Sequence, residues 1–225
     1  MAFTGLYNLW TKLGLPSGNF LIYYPYNRSG EIDNNGINPS LYTGVLSSQL
    51  NHWQRSGSGY FSGGYIEISG VSTVDQSNWT ILTSIEQTQT GSGIIFSSYR
   101  TGLINGNPRN MGYSLGFDGE NKLKFYYYLN GETGEALNVQ LPNKNIIAAS
   151  KAGDYLSLYA YNFATDKYDT NFFIIDDPCA FLSGSKFYLG KAVDAPISFT
   201  VVPLQGYIDE FAYFNTSLSL TDLVF

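Results

Sequence analysis

Apolar and polar residues alternate along most of the chain, and this pattern predicts short β-strands. Residues 79–86 place Trp79, Ile81, Thr83 and Ile85 on one face. Asp118-Gly119 and Asn130-Gly131 are hairpin signals between such runs. The predicted strands are residues 20–26, 65–69, 79–86, 93–99, 112–117, 122–129, 136–139, 146–150, 155–161, 171–175, 186–189 and a closing strand after Gly206. Because long crossover helices are missing, we expect an all-β fold, an antiparallel two-sheet β-sandwich.

Two regions depart from the strand pattern. Apolar residues recur at helical spacing between residues 3 and 13, which predicts a short amphipathic helix ended by Gly14 and Pro16. We therefore expect an N-terminal extension over residues 1–18 and one sandwich domain over residues 19–225. Residues 27–64 form a long Gly-, Ser- and Asn-rich region, and such loops are often functional.

The segment from Gly206 to Leu223 predicts a buried strand, a turn and a short capped helical turn. Asp209 and Glu210 place two adjacent carboxylates in that strand. Buried carboxylates are costly unless they are hydrogen-bonded or bound to something. We therefore expect this strand both to pack and to position polar groups.

Composition narrows the classes of partner. Only 13% of the 225 residues are charged, against about 25% in an average protein. The net charge of −6 argues against nucleic acid and anionic membranes, and it is compatible with neutral glycans, cations or proteins. The single Cys179 forbids an intramolecular disulfide. We find neither a signal peptide nor a run of about 18 apolar residues, so no membrane insertion is expected.

Several segments occur in an order that is similar to the concanavalin A-like sandwich, in its laminin G-like (pentraxin-like) branch. They are Tyr24-Pro25-Tyr26-Asn27, Tyr60 to Ile68, Trp79 to Glu86, Gly112 to Phe117, Phe187-Tyr188-Leu189-Gly190 and Gly206-Tyr207-Ile208-Asp209-Glu210-Phe211. Gly64 and Ser84 replace the aspartate and tryptophan that are usual in that family. The resemblance covers residues 20–223 and implies a jelly roll. The family includes lectins, carbohydrate-binding modules, adhesion domains, glycoside hydrolases and virion proteins, so the fold alone does not determine the activity.

Catalytic residues are not evident. Glycoside hydrolases of this class carry E-x-D-x-x-E on a strand, so that acid and nucleophile face one cleft. Glu31-Ile32-Asp33 has the first spacing but lies in a predicted loop without a third carboxylate. The only histidine, His52, lies in no motif. We therefore expect no enzymatic activity.

Exposed aromatic rings with polar neighbours would suit a sugar. The candidates are Trp53, Tyr42, Tyr60 and Arg55 in the long loop, and Tyr99 and Arg100 at the start of a Gly/Asn-rich loop over residues 100–111. Packing within the sheets is the competing interpretation for each ring.

Calcium is the one metal that the sequence suggests, because Ca²⁺ prefers carboxylate and carbonyl oxygens. The candidate ligands are Asp33 with Asn35, and Asp118 with Glu120. Ordinary turn chemistry explains Asp and Asn at these places equally well.

The expected function is that of a non-catalytic recognition or structural module in a phage virion, as a tail, fibre or capsid-surface protein. Its partner would be a host-cell-surface glycan or a neighbouring virion protein, and a homo-oligomer is possible. A carbohydrate-binding or adhesion domain of a bacterial surface protein is the alternative. A divergent glycoside hydrolase and a purely assembly-related role are further alternatives.

Overall fold

The alternating segments form strands in a computed structural model of the chain. It describes residues 20–24, 44–46, 59–71, 77–87, 91–98, 100–104, 107–111, 113–120, 122–128, 132–138, 144–174, 186–191 and 203–219. The strands are β1 Phe20–Tyr24, β2 Gly44–Leu46, β3 Gly59–Ser62, β4 Ile66–Ile68, β5 Asn78–Gln87, β6 Gly93–Ser97, β7 Arg100–Ile104, β8 Asn107–Met111, β9 Tyr113–Phe117, β10 Lys122–Tyr128, β11 Glu132–Asn138, β12 Lys144–Ala152, β13 Tyr155–Asn162, β14 Lys167–Ile174, β15 Phe187–Leu189 and β16 Gln205–Phe214.

The strands form two large antiparallel sheets. Sheet A has the order β1-β16-β5-β12-β13-β14, and β3 pairs with β16 beside β1. Sheet B has the order β11-β10-β9-β6-β15-β4-β2, and β7 and β8 form a separate hairpin. The predicted all-β sandwich is thus confirmed. None of the described residues forms a helix of the length and apolarity needed to cross a membrane.

The core lies between the two sheets and is largely aromatic. Trp79 of β5 is 1% exposed and stacks on Tyr113 of β9, with ring centroids 4.7 Å apart and planes 11° apart. Phe125 and Tyr213 pack at 6.0 Å and 6.1 Å from the same indole. Trp79, Ile81 and Ile85, which the sequence pattern places on one face of β5, all belong to this core.

Strand β16 lies between β1 and β3 on one side and β5 on the other. Its register with β5 shifts between Ile208 and Glu210, which marks Asp209 as a bulge. The hydroxyl of Ser84 donates to Asp209 Oδ2 at 3.5 Å, and Glu210 is 8% exposed opposite Ser84. The bulge thus places both carboxylates beside one serine, and the expected double role of packing and polar placement is confirmed.

Residues 215–219 follow β16 as a bend and an irregular stretch rather than a helix. The backbone N–H of Leu218 donates to the hydroxyls of Thr80 and Ser150, at 3.0 Å and 2.9 Å. No helical turn forms as far as Ser219, where these hydroxyls on the outer face of sheet A bind the backbone instead, and the predicted helical turn stays a prediction for the residues that follow. Residues 220–223 lie outside the described residues.

Two regions predicted as loops contain strands. β2 and β3 fall within residues 27–64, and the predicted loop over residues 100–111 is the β7–β8 hairpin. Both predicted hairpins are confirmed, since β9 pairs with β10 and Tyr128 of β10 pairs with Glu132 of β11. The predicted N-terminal helix over residues 3–13 lies outside the described residues, and the boundary between residues 18 and 19 stays a prediction.

Candidate functional site

The outer face of sheet A is buried at its centre and exposed at one edge. Ala212, Leu82 and Ala148 form one row across β16, β5 and β12, and each is 0% exposed. The row continues through the buried Tyr159 of β13 to Thr170 of β14, which is exposed. The surface open to a partner therefore begins at the β13–β14 hairpin.

Four large side chains are exposed on that hairpin. Tyr155, Tyr168 and Ile174 are 58%, 57% and 57% exposed, and Phe172 is 74% exposed. Tyr155 pairs with Ile174, and Phe172 pairs with Ser157 in the next row, so the four side chains share one face. We call these four residues the aromatic face. Large apolar side chains that are exposed together on one face often mark an interaction site.

The loops at both ends fix this hairpin. Asn162 Oδ1 accepts the backbone N–H groups of Ala164 and Thr165 at 2.9 Å and 3.1 Å. Asp166 closes the same loop with φ +51°, the left-handed conformation that Asp and Asn tolerate best among residues other than glycine. At the other end, the tight turn before Tyr155 begins at Gly153, whose φ is +58°. The exposed rings therefore stand on a well-defined scaffold.

Tyr161 links the aromatic face to a carboxylate. Its hydroxyl donates to Asp166 Oδ1 at 2.7 Å, and Tyr161 pairs across the hairpin with Tyr168. That hydrogen bond, then partial burial and the negative charge of Asp166, raise the pKa of Tyr161. Tyr159 lies beside them with its ring 6.1 Å from that of Tyr168, and burial raises its pKa. Both phenols therefore remain hydrogen-bond donors at neutral pH.

The outer face of sheet B offers a different set of groups. Lys186 forms an ion pair with Glu67, and Lys191 Nζ lies 4.7 Å from the centre of the Tyr65 ring. Ser114, which is 1% exposed, has no hydrogen-bond partner for its hydroxyl. Because these polar groups are paired or buried, this face offers a weaker platform than the aromatic face.

Most of the predicted glycan ligands fall outside the described residues. Trp53, Arg55, Tyr42 and Tyr99 do so, and their roles stay predictions. Tyr60 lies on β3 and Arg100 begins β7, and these strands belong to different sheets.

Sequence reasoning missed the aromatic face, although the alternation of residues 155–161 held a signal for it. Tyr155, Ser157, Tyr159 and Tyr161 share one side of that strand.

The predicted calcium pair Asp118 and Glu120 lies in the β9–β10 hairpin. Asp118 Oδ1 accepts the N–H groups of Glu120 and Lys122 at 2.8 Å and 2.9 Å, and Oδ2 pairs with Lys124 at 2.9 Å. Glu120 forms an ion pair with Lys122 at 2.7 Å. These are the contacts of a capped turn, and a calcium ion would have to replace the two lysines. Calcium here stays a prediction, as it does for Asp33 and Asn35, which lie outside the described residues.

Within the described ranges, no group of three or more His, Cys, Asp or Glu residues could hold a metal ion.

The capped turn makes one pH-dependent contribution to stability. Partial burial would raise the pKa of Asp118, but hydrogen bonds from Lys124, Lys122 and Glu120 outweigh it and lower the pKa below its ordinary value. The stabilisation is therefore present above the ordinary aspartate pKa of about 4 and is lost as the pH falls through the lower folded-state value. We expect Asp118→Asn to flatten the loss of stability below about pH 4, as measured by urea unfolding between pH 7 and pH 2.5.

Glu120→Gln is the matched control, because the Glu120 side chain is 73% exposed and exposed ion pairs contribute little. If the free energy of unfolding of the wild type and of Asp118→Asn fell equally at low pH, the stabilising role of the Asp118 carboxylate would be contradicted.

Comparison with known proteins finds similarity in structure only. No family model matches the chain, and no curated protein matches it. The binding domain of Botulinum neurotoxin DC in complex with rat synaptotagmin II matches with a TM-score of 0.62 and 11% identity, over 91% of this chain and 50% of that chain. A Ruminococcus gnavus IT-sialidase CBM40 bound to α2,3-sialyllactose matches with a TM-score of 0.51 and 14% identity, over 68% and 83%.

A Trypanosoma rangeli sialidase mutant displaying trans-sialidase activity matches with a TM-score of 0.58 and 10% identity, over 97% of this chain and 37% of that chain. The chain therefore spans half of the toxin binding domain and a smaller part of the sialidase. At these identities the similarity establishes the fold and not the activity. The chain has a β-sandwich fold, and its membership of the laminin G-like branch stays a prediction.

Proposed function

We propose that this domain is a non-catalytic carbohydrate-binding module that contacts its glycan through the aromatic face. The observation that supports this proposal is the exposure of Tyr155, Tyr168 and Phe172 on one side of a hairpin whose loop is closed by hydrogen bonds. An aromatic ring has a negative face and attracts groups with a positive edge. The C–H groups on one side of a sugar ring provide such an edge.

Polar groups between the rings suit the hydroxyls of a sugar. Ser157 pairs with Phe172 in one row, and Thr170 lies on β14 between Phe172 and Tyr168. The phenol groups of Tyr155 and Tyr168 add donors and acceptors at the two ends. Tyrosine combines a flat apolar surface with one polar group, and it loses little conformational entropy on binding.

Structural relatives support this class of ligand. One is from botulinum neurotoxin type C, whose cell entry is dependent upon interaction with two ganglioside molecules, and it matches with a TM-score of 0.61 at 13% identity. The R. gnavus CBM40 structures contain α2,3- and α2,6-sialyllactose. These ligands belong to the other proteins, and they make a glycan the first partner to test for this chain.

The proposal is for binding without hydrolysis. Glycosidases need two carboxylates about 5–9.5 Å apart across the bond that is cleaved. The described acids beside the aromatic face, Asp154 and Asp166, lie at opposite ends of the eight-residue strand β13, and they are therefore about 25 Å apart at the usual strand rise. Two groups at that distance cannot act on one glycosidic bond.

We place the module in a phage virion, as a tail, fibre or capsid-surface part, because the chain combines a low charged fraction with many Asn, Ser, Tyr and Gly residues. A bacterial surface protein is the alternative setting. The identity of the neighbouring genes, structural virion genes or polysaccharide-utilisation genes, decides between the two.

The proposed function predicts that truncation of a ring of the aromatic face weakens glycan binding without unfolding the domain. Phe172→Thr and Tyr168→Thr should each weaken binding about tenfold, because each removes one stacking ring. Threonine is chosen because it favours strands. The measurement is a glycan array with the full chain, followed by calorimetric titration of the oligosaccharides that bind.

Val45→Thr is the matched control, because Val45 is 58% exposed but lies on sheet B. An array without any binding would contradict the proposal, and so would equal binding by the control and the aromatic-face variants. Sedimentation of each variant tests the competing role: a wild-type oligomer that Phe172→Thr dissociates, without glycan binding, would assign the face to self-association.

A further inference from the structure

The charges beside the aromatic face indicate which kind of glycan it selects. Asp166 accepts the Tyr161 hydroxyl at 2.7 Å, and Tyr161 pairs with Tyr168. At the opposite end, the exposed Asp154 directly precedes Tyr155. At one end of the face a carboxylate therefore bonds to Tyr161, the partner of Tyr168, and at the other end a carboxylate lies in the turn that precedes Tyr155.

Within the β13–β14 hairpin, no lysine lies on the side of the aromatic face, and Lys144 of the neighbouring strand β12 pairs with Glu86 of β5. Lys167 follows Asp166, but strand alternation places it on the side of Phe173 and not of Tyr168. Lys151, near the other end, is 4% exposed and donates to the carbonyl of Gly153. On the side of the aromatic face the hairpin therefore carries the carboxylate of Asp166 and no lysine, in a chain whose net charge is −6.

We propose that the aromatic face is selective for neutral oligosaccharides and rejects glycans that carry carboxylate or sulfate groups. This proposal rests on the proposed function and adds the charge class of the ligand. It departs from the sialyllactose ligands that the R. gnavus CBM40 structures contain.

Two physical effects support the selectivity. An acidic sugar stacked on Tyr168 would bring its negative charge within one Debye length, about 8–10 Å, of Asp166. A neutral sugar instead offers hydroxyl donors, and hydrogen bonds to a carboxylate are stronger than hydrogen bonds between neutral groups. The second oxygen of Asp166, Oδ2, can accept such a bond while Oδ1 holds Tyr161.

The test uses pairs of oligosaccharides that differ only in a terminal sialic acid, uronate or sulfate group. The neutral member of each pair should bind the wild-type chain at least about fivefold more tightly in low salt, and the ratio should fall in 1 M NaCl because salt screens the repulsion. The double variant D154N/D166N should bind both members within about twofold of each other.

Asparagine is the matched replacement, because it keeps the acceptor for Tyr161 and tolerates the left-handed backbone of residue 166. Preference of the wild type for the acidic members, or an unchanged ratio in D154N/D166N, would overturn the selectivity and leave the proposed function standing. The absence of binding to every neutral and acidic member would overturn both.

Discussion

Gly190→Ala is expected to lower the free energy of unfolding by about 2–5 kcal/mol, because it combines backbone strain with a clash in the core. Gly190 has φ +82°, and a Cβ there would lie 2.3 Å from Cδ1 of Phe61. Phe61 is 0% exposed, so its ring cannot turn aside easily. The N–H of Gly190 donates to Ile95 and its carbonyl accepts from Leu204, both at 2.9 Å, which holds the glycine in place.

Gly153→Ala separates the two contributions. Gly153 has φ +58°, but a Cβ there would meet nothing within 4 Å. The expected cost is about 1–2 kcal/mol, that of the left-handed backbone alone. Guanidinium unfolding of both variants gives the difference, and equal losses would show that Phe61 accommodates the methyl group.

Trp79→Ala is expected to destabilise the domain by about 3–5 kcal/mol, since it empties the centre of the core. Such a loss approaches the whole stability of an ordinary domain, about 5–15 kcal/mol. Trp79 stacks on Tyr113 and also packs against Phe125 and Tyr213. No shift of its neighbours would restore that many ring contacts.

Trp79→Phe gives the informative contrast. The indole Nε1 is buried without a hydrogen-bond partner, and an unsatisfied buried donor costs about 1–3 kcal/mol. Phenylalanine removes that donor together with some volume, so we expect a net loss below about 2 kcal/mol. A loss as large as that of Trp79→Ala would show that the shape of the indole matters more than its polar group.

Strict alternation was the reliable signal in this sequence. It located β5 and β13 to within a residue or two, because the two faces of these strands meet different surroundings. The short strands β2 and β3 were missed, since three or four residues are too few to show a period. These strands form because β2 pairs with β4 and β3 pairs with β16. Such pairing depends on the partner strand and not on local sequence.

The aromatic face was missed for a related reason. Phe172 and Phe173 are neighbours of the same type, and the sequence does not say which one faces the core. Pairing with β13 decides it: Phe173 lies opposite Leu156 on the core side, and Phe172 lies opposite Ser157 on the outside. The register of β14 on β13 therefore determines that the Phe172 ring is exposed. The strand propensity of residues 171–175 alone could not reveal this.

The position of β16 has a kinetic consequence. It is the last of the sixteen described strands, yet it fills the gap between β1 and β5 in sheet A, with Phe20 opposite Phe214. Synthesis proceeds at about 5–20 residues per second. The edges of β1 and β5 that pair with β16 therefore stay unpaired until residue 214 leaves the ribosome. Pairing across such separations is slow. The nascent chain is therefore exposed to aggregation through these two edges, and a chaperone that covers them would raise its yield more than one acting on the finished domain.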